Sequence, residues 1–150
     1  MAVIRAWALP DVPAPPIVED PAILEGYLED ASGIPPGHAA GLVRVAGEAE
    51  AASLLRCTDR PILAQAARTS LTGGAVPAGE LILSVERMRE IGRLRRNGAG
   101  AAVDVQPGVR LDELQERVGV EGFYYPPVPT YRQAMLGGSV STNAGGAASL

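Results

Sequence analysis

Gln65-Ala66-Ala67-Arg68-Thr69-Ser70-Leu71-Thr72-Gly73-Gly74, entered from the short apolar run Pro61-Ile62-Leu63-Ala64, decides how this chain reads. A further stretch of the same character, Leu136-Gly137-Gly138-Ser139-Val140-Ser141-Thr142-Asn143-Ala144-Gly145-Gly146, follows the lead-in Pro126-Pro127-Val128-Pro129-Thr130. Glycine admits positive φ and lets a ligand approach where a Cβ would block it. Successive backbone N–H groups in such a turn form an anion-binding concavity, and small hydroxyls add donors without bulk. Both stretches read as loops. Two of them in 150 residues suit one long ligand carrying a diphosphate.

Working outward, residues 42–45 alternate as a strand, 48–56 are alanine- and leucine-rich and helical, and 61–66 form the next strand. The first glycine stretch thus leaves the carboxyl end of the second strand of a βαβ unit, where parallel sheets present ligand sites. Residues 81–85 are another apolar strand. Residues 91–96 and 101–105 flank Asn97-Gly98 as a β-hairpin. Leu111, Leu114 and Val118 mark the apolar face of a short helix whose Asp112, Glu113, Gln115 and Glu116 face solvent. Pro10, Pro13, Pro15 and Pro16 make residues 1–19 an extended arm. Asp20-Pro21 then opens a helix carrying Ile23, Leu24, Tyr27 and Leu28, closed by Gly33 and Pro35-Pro36. Helices and strands mix as in an α+β fold.

Net charge is −4 and the pI is near 5.0, so a phosphate-backbone partner is not expected. All 13 basic residues are arginines. Without lysine, neither a P-loop nor a Schiff-base site is available, so any bound anion is held by backbone amides, hydroxyls or arginine. Although 47% of residues are hydrophobic, no run approaches the length of a membrane span. Pro10 and Asp11 interrupt the start too early for a signal-peptide core, and the single Cys57 fits a reducing compartment. The expected location is cytoplasmic.

In the order and spacing of the two glycine stretches, with the linking residues 75–84, residues 42–146 resemble the FAD-linked oxidase/dehydrogenase family. These are the PCMH-type flavoproteins of the vanillyl-alcohol-oxidase superfamily, and the pattern is similar to the D-lactate and glycolate dehydrogenase branch. The resemblance implies a PCMH-type FAD-binding fold. The chain would hold its first lobe, a small parallel β-sheet flanked by helices, and the start of the next. Residues 20–150 would then be a partial domain, with its C-terminal part and the substrate domain absent. The first stretch is similar to the family's pyrophosphate loop, wrapping the diphosphate with Gln65, Ala66, Ala67, Arg68, Thr69, Ser70, Thr72, Gly73 and Gly74. The stretch at 136–146 resembles the loop beneath the diphosphate and flavin ring. There Gly137 and Gly138 would give close approach, Ser141, Thr142 and Asn143 side-chain donors, and Gly145 and Gly146 the reversal. Pro129 and Thr130 either deliver this loop to the cofactor or form a rigid lead-in.

The first stretch departs from the family at Ala66, where glycine is common, and at Arg68, where glycine or another small residue is frequent. Alanine tolerates positive φ poorly. Arg68 is either a partner for a phosphate or a solvated charge, and the sequence leaves both open. Many relatives attach FAD through a histidine in or beside this loop. Residues 65–74 hold neither histidine nor cysteine, so the resemblance implies non-covalent FAD. His38 and Cys57 read as structural, and no metal site is expected. Gly98-Ala99-Gly100 begins a dinucleotide fingerprint but meets Val103 and a strand, not a helix, so it reads as a turn.

No residue here is assigned to catalysis. In complete members of the family the substrate chemistry rests elsewhere. The expected function is the FAD-binding portion of a flavin-dependent oxidoreductase acting on a 2-hydroxy acid such as D-lactate or glycolate, with 150 residues alone inactive. A small-molecule substrate and an electron acceptor would join only in the complete enzyme. The rivals are a truncated, non-catalytic nucleotide-binding fragment and a sugar-nucleotide reductase on the same fold.

Overall fold

The computed structural model describes residues 10–98, 100–127 and 129–146. The first nine residues of the expected arm, Ala99 of the hairpin turn and Val128 of the lead-in to the C-terminal glycine stretch lie outside the described residues. The rest of the arm runs extended to Val18, which docks on Leu42 through paired backbone hydrogen bonds of 2.8 and 2.9 Å.

Asp20 caps α1 (Pro21–Leu24), its Oδ1 accepting from the Ala22 N–H at 2.9 Å, with Pro21 at a position that has no donor to lose. The helix is shorter than its apolar spacing implies. At Glu25 it tightens into a 3₁₀ turn, Glu25–Tyr27, which carries Tyr27 into the core while Ile23 stays exposed. β1 (Gly41–Arg44), α2 (Glu48–Cys57) and β2 (Ile62–Gln65) follow as expected. However, β1 and β2 are not neighbours: β3 (Leu81–Ser84) lies between them, parallel to both, in the order β1-β3-β2.

That placement explains why all four β3 residues are buried, since a central parallel strand is covered on both faces. Its side chains sort by period two. Leu81 and Leu83 join Val43, Val45, Leu54 and Met88 in one cluster. Ile82 packs with Leu42 and Tyr27 in the other.

β4 (Arg95–Asn97) and β5 (Gly100–Ala102) pair antiparallel, with Gly98 at φ 58 in the turn. The regular ladder is shorter than expected, though Ile91 and Val105 extend the pairing by one bridge. α3 (Leu111–Gly119) buries Leu111, Leu114 and Val118 as its spacing requires. Its polar face is less free than the sequence suggests. Asp112 is half-buried against Arg110, and Gln115 holds the backbone of Tyr125 through both its amide atoms.

The glycine stretch at 136–146 is not a loop throughout. Residues Leu136–Ser141 form a short helix, α4. Tertiary bonds overrule glycine's poor helix propensity here. Leu136 N–H donates to Val109 O at 2.8 Å and Gly137 N–H to Pro107 O at 2.9 Å, pinning the first turn. Leu136 also caps the third apolar cluster, built on Val109, Leu114 and Val118. Among the described residues, no helix is long and apolar enough to cross a membrane.

Candidate functional site

The carboxyl ends of β2 and β3 open onto a cavity of about 960 Å³ between the first glycine stretch and α4. Its volume is at the upper end of the range for ligand sites, about 300–1,000 Å³. The two stretches that the sequence singles out form its opposing walls. Ala66, Ala67, Arg68, Thr69, Ser70, Thr72 and Gly74 line it from one side, and Gly137, Gly138, Ser141, Thr142 and Gly145 from the other. Pro129 and Thr130 reach it as well.

Three of the singled-out residues are not in the lining: Gly73, Asn143 and Gly146. Gly73 serves the fold instead, since a Cβ there would fall 2.3 Å from Ile34 Cδ1. Gln65 touches the cavity, but its side chain works inside the protein. It is 1% exposed, and its Nε2 donates to Tyr27 O at 2.9 Å and Ala75 O at 2.7 Å. Its Oε1 is buried without a partner among the described residues.

The N-terminal turn therefore shapes the first stretch from behind. Besides the Gln65 contacts, Ala31 N–H donates to Arg68 O at 3.1 Å, and Ala75 N–H to Asp30 Oδ2 at 3.2 Å. Held this way, the backbone N–H groups of residues 67–70 donate to no acceptor among the described residues. The hydroxyls of Thr69 and Ser141 are likewise uncommitted there. Four successive backbone donors on a cavity wall form a concavity suited to an acceptor-rich ligand.

Besides Gly73, at 76°, the positive φ of this stretch falls at Arg68, at 55°, and not at Ala66. Among the described residues that line the cavity, Arg68 is also the one that is charged, and none is a carboxylate, histidine or cysteine. Its guanidinium carbon lies 4.6 Å from the centroid of the Tyr27 ring. Tyr27 in turn donates its hydroxyl to Glu86 Oε1 at 2.7 Å. Burial, together with the Glu86 hydrogen bond and charge, raises the phenol above its usual range and keeps it a donor at neutral pH.

Sequence reasoning missed Ala31, Val85, Pro107, Tyr131 and Met135, which also line the cavity. Of these only Val85 carried a signal, as it directly follows the strand beside β2 at the edge where ligands bind. The others are single residues brought in by tertiary folding.

Comparison with known proteins agrees with this geometry. A family model described as "FAD binding domain" matches residues 39–150. The chain is 36% identical to a D-lactate dehydrogenase of Anaerostipes hadrus over 109 residues, 70% of this chain and 22% of that protein. It is 39% identical to the glycolate oxidase subunit GlcD of Escherichia coli over 88 residues, 57% of this chain and 17% of that one. A D-lactate dehydrogenase of Archaeoglobus fulgidus is 31% identical over 113 residues, 73% and 25% of the two chains. The chain thus spans a quarter or less of the length of these curated relatives.

Among solved structures, aclacinomycin oxidoreductase superposes with a TM-score of 0.68 at 18% identity, covering 86% of this chain and 26% of that one. Cholesterol oxidase from B. sterolicum gives 0.62 at 18%, covering 71% and 21%. At such identity these establish the fold, which is the PCMH-type FAD-binding fold that the resemblance implied.

Proposed function

From a chain that belongs to the FAD-binding domain family, we propose the FAD-binding portion of a flavin-dependent oxidoreductase that acts on a 2-hydroxy acid such as D-lactate or glycolate. The cofactor is FAD. The observation that supports this role for the site is the run of four amides at residues 67–70 that are unpaired among the described residues, facing α4 across a cavity of about 960 Å³.

In this reading the amides of residues 67–70 and the Thr69 hydroxyl take the diphosphate, with Arg68 supplying counter-charge. Gly138 and the hydroxyls of Ser141 and Thr142 border the ligand from the α4 side. Bound flavin supplies the hydride-accepting chemistry, and these residues bind and orient it. The relatives at 36% and 39% identity, a D-lactate dehydrogenase and a glycolate oxidase subunit, support the substrate class. Residues 20–150 are proposed as part of a larger FAD-binding domain, because the matched relatives are several times longer.

FAD is expected to bind more tightly than FMN, because a mononucleotide leaves one wall of the cavity without contacts. Fluorescence titration of the purified protein with each flavin checks this, and equal affinities count against the two-wall site. The flavin is also held without a covalent bond, because His38 and Cys57, the chain's single histidine and cysteine, both lie outside the cavity lining. Acid precipitation of the loaded protein should leave the yellow colour in the supernatant. Colour retained in the washed pellet excludes dissociable flavin. For the substrate class, D-lactate and glycolate are offered, with an artificial electron acceptor, to the complete enzyme of which residues 20–150 are proposed as part. Reduction of the dye by an unrelated alcohol but by neither acid overturns that part of the proposal.

A further inference from the structure

We propose that Tyr27, which belongs to neither glycine stretch, is a positioning residue that holds the Arg68 guanidinium in place for the ligand's diphosphate. This role rests on the FAD-site reading above.

The backbone at Arg68 is costly. A non-glycine residue at φ 55 sits in the left-handed region that L side chains rarely adopt. A glycine there would relieve the backbone, so something must hold the arginine in that shape. The structure shows two such contacts. Ala31 N–H bonds the Arg68 carbonyl, and the guanidinium lies over the Tyr27 ring at 4.6 Å.

A guanidinium stacked on a ring face keeps its in-plane N–H donors free, and among the described residues Arg68 has no carboxylate partner to occupy them. The charge is therefore fixed in position but not neutralised. It lies on the cavity wall beside the unpaired amides of residues 67–70, where an anion would sit.

Tyr27 is itself fixed. It is 9% exposed, its carbonyl accepts from Gln65, and its hydroxyl donates to Glu86. Donation from the phenol to a carboxylate pushes electron density into the ring, which strengthens the ring's hold on a cation. Glu86 also lies 3.9 Å from Arg44, so its charge is shared with the β1 side of the fold. Glu86 thus meets Arg68 through the ring, and among the described residues it forms no salt bridge that would draw the guanidinium out of the cavity.

The test is a double-mutant cycle on the purified protein, using Tyr27→Leu, Tyr27→Phe and Arg68→Gly. Each protein is titrated with FAD and with riboflavin, which lacks the diphosphate, at several ionic strengths, and a thermal melt is recorded for each. Arg68→Gly is expected to weaken FAD binding roughly ten- to hundredfold. It should also flatten the salt dependence, leave riboflavin unchanged and raise the melting temperature, because the strained φ is relieved. Tyr27→Leu should weaken FAD several-fold in the native background and not at all in the Arg68→Gly background. Tyr27→Phe, which keeps the ring, should fall between native and Tyr27→Leu.

Independent losses from Tyr27→Leu and Arg68→Gly, or a Tyr27 effect equal for riboflavin, overturn the inference and make Tyr27 a packing residue. If Tyr27→Leu does not fold, the Tyr27→Phe cycle with Arg68→Gly decides in its place. A native protein that takes no FAD sinks the underlying reading as well. A native protein that binds FAD only as tightly as Arg68→Gly does sinks this inference alone.

Discussion

Replacing Gly138 by valine is expected to weaken FAD binding by at least about a hundredfold, a loss near 2.7 kcal/mol, while the protein stays folded. Gly138 lies in α4 and lines the cavity facing the first glycine stretch. An ideal Cβ there would stand 3.5 Å from Ala66 Cβ, an ordinary contact. Alanine therefore fits, whereas valine carries two further methyl groups into the gap between the walls that the ligand needs. Space is at stake here and not backbone freedom, since Gly138 is helical. Valine is a better helix former than glycine, so the fold should not suffer. Titration with FAD beside a thermal melt separates the two effects. A valine variant that melts and binds like the native protein means that the ligand does not pass between α4 and residues 66–70. Arg68→Gly should cost less affinity than Gly138→Val, because it removes one charge-assisted contact and leaves the channel open.

How far the sequence discloses such a site depends on whether the deciding contacts are local. Strand β2 and the glycine stretch behind it are readable because apolar patterning and glycine punctuation act within a few residues. So are the α2 boundaries and the apolar face of α3. The position of β3 between β1 and β2 is set by both faces of Leu81–Ser84 being covered, which no window of sequence contains. For α4 the local signal points the wrong way. Its glycines speak for a loop, and the bonds to Val109 O and Pro107 O that impose the helix come from residues about 30 positions away.

Glycine itself is ambiguous in the same manner. Within the two stretches, Gly138 leaves space toward the cavity. Gly73 makes room for Ile34, and a Cβ on Gly137 would lie 2.6 Å from Pro107 Cβ. The composition of a glycine stretch marks close approach without saying whether a ligand or the protein does the approaching. The strain likewise falls at Arg68 and not at Ala66, although the family pattern offers glycine at both, because the sequence does not show which peptide turns over.

Gly108→Ala is expected to produce the largest loss of stability of any methyl addition discussed here, about 2–3 kcal/mol, or roughly 6–12 °C in melting temperature. A Cβ at this position would fall 2.1 Å from Val85 O and 2.7 Å from Met88 O. Both obstacles are backbone, so neither can swing aside as a side chain would. They are also tied together: Met88 N–H donates to Val85 O at 2.9 Å, and Gly108 N–H to Met88 O at 2.8 Å. The methyl group therefore has to push apart the turn that leads out of β3 and the chain that leads into α3. Gly119→Ala is the control. Gly119 closes α3 with nothing within 4 Å of the new atom, so this change should be neutral or stabilise by about 0.5–1 kcal/mol. Thermal melts of the two variants decide the matter. A Gly108→Ala protein that melts like Gly119→Ala would show that the two segments do not meet as described. Gly108→Ala should also reduce FAD affinity. Pro107, next to Gly108, accepts the Gly137 N–H that starts α4, and Val85 and Pro107 both line the cavity. Forcing Gly108 away from Val85 thus moves the wall on which α4 stands, so the stability loss and the binding loss have one cause and should be reversed together by any change that reseats Pro107.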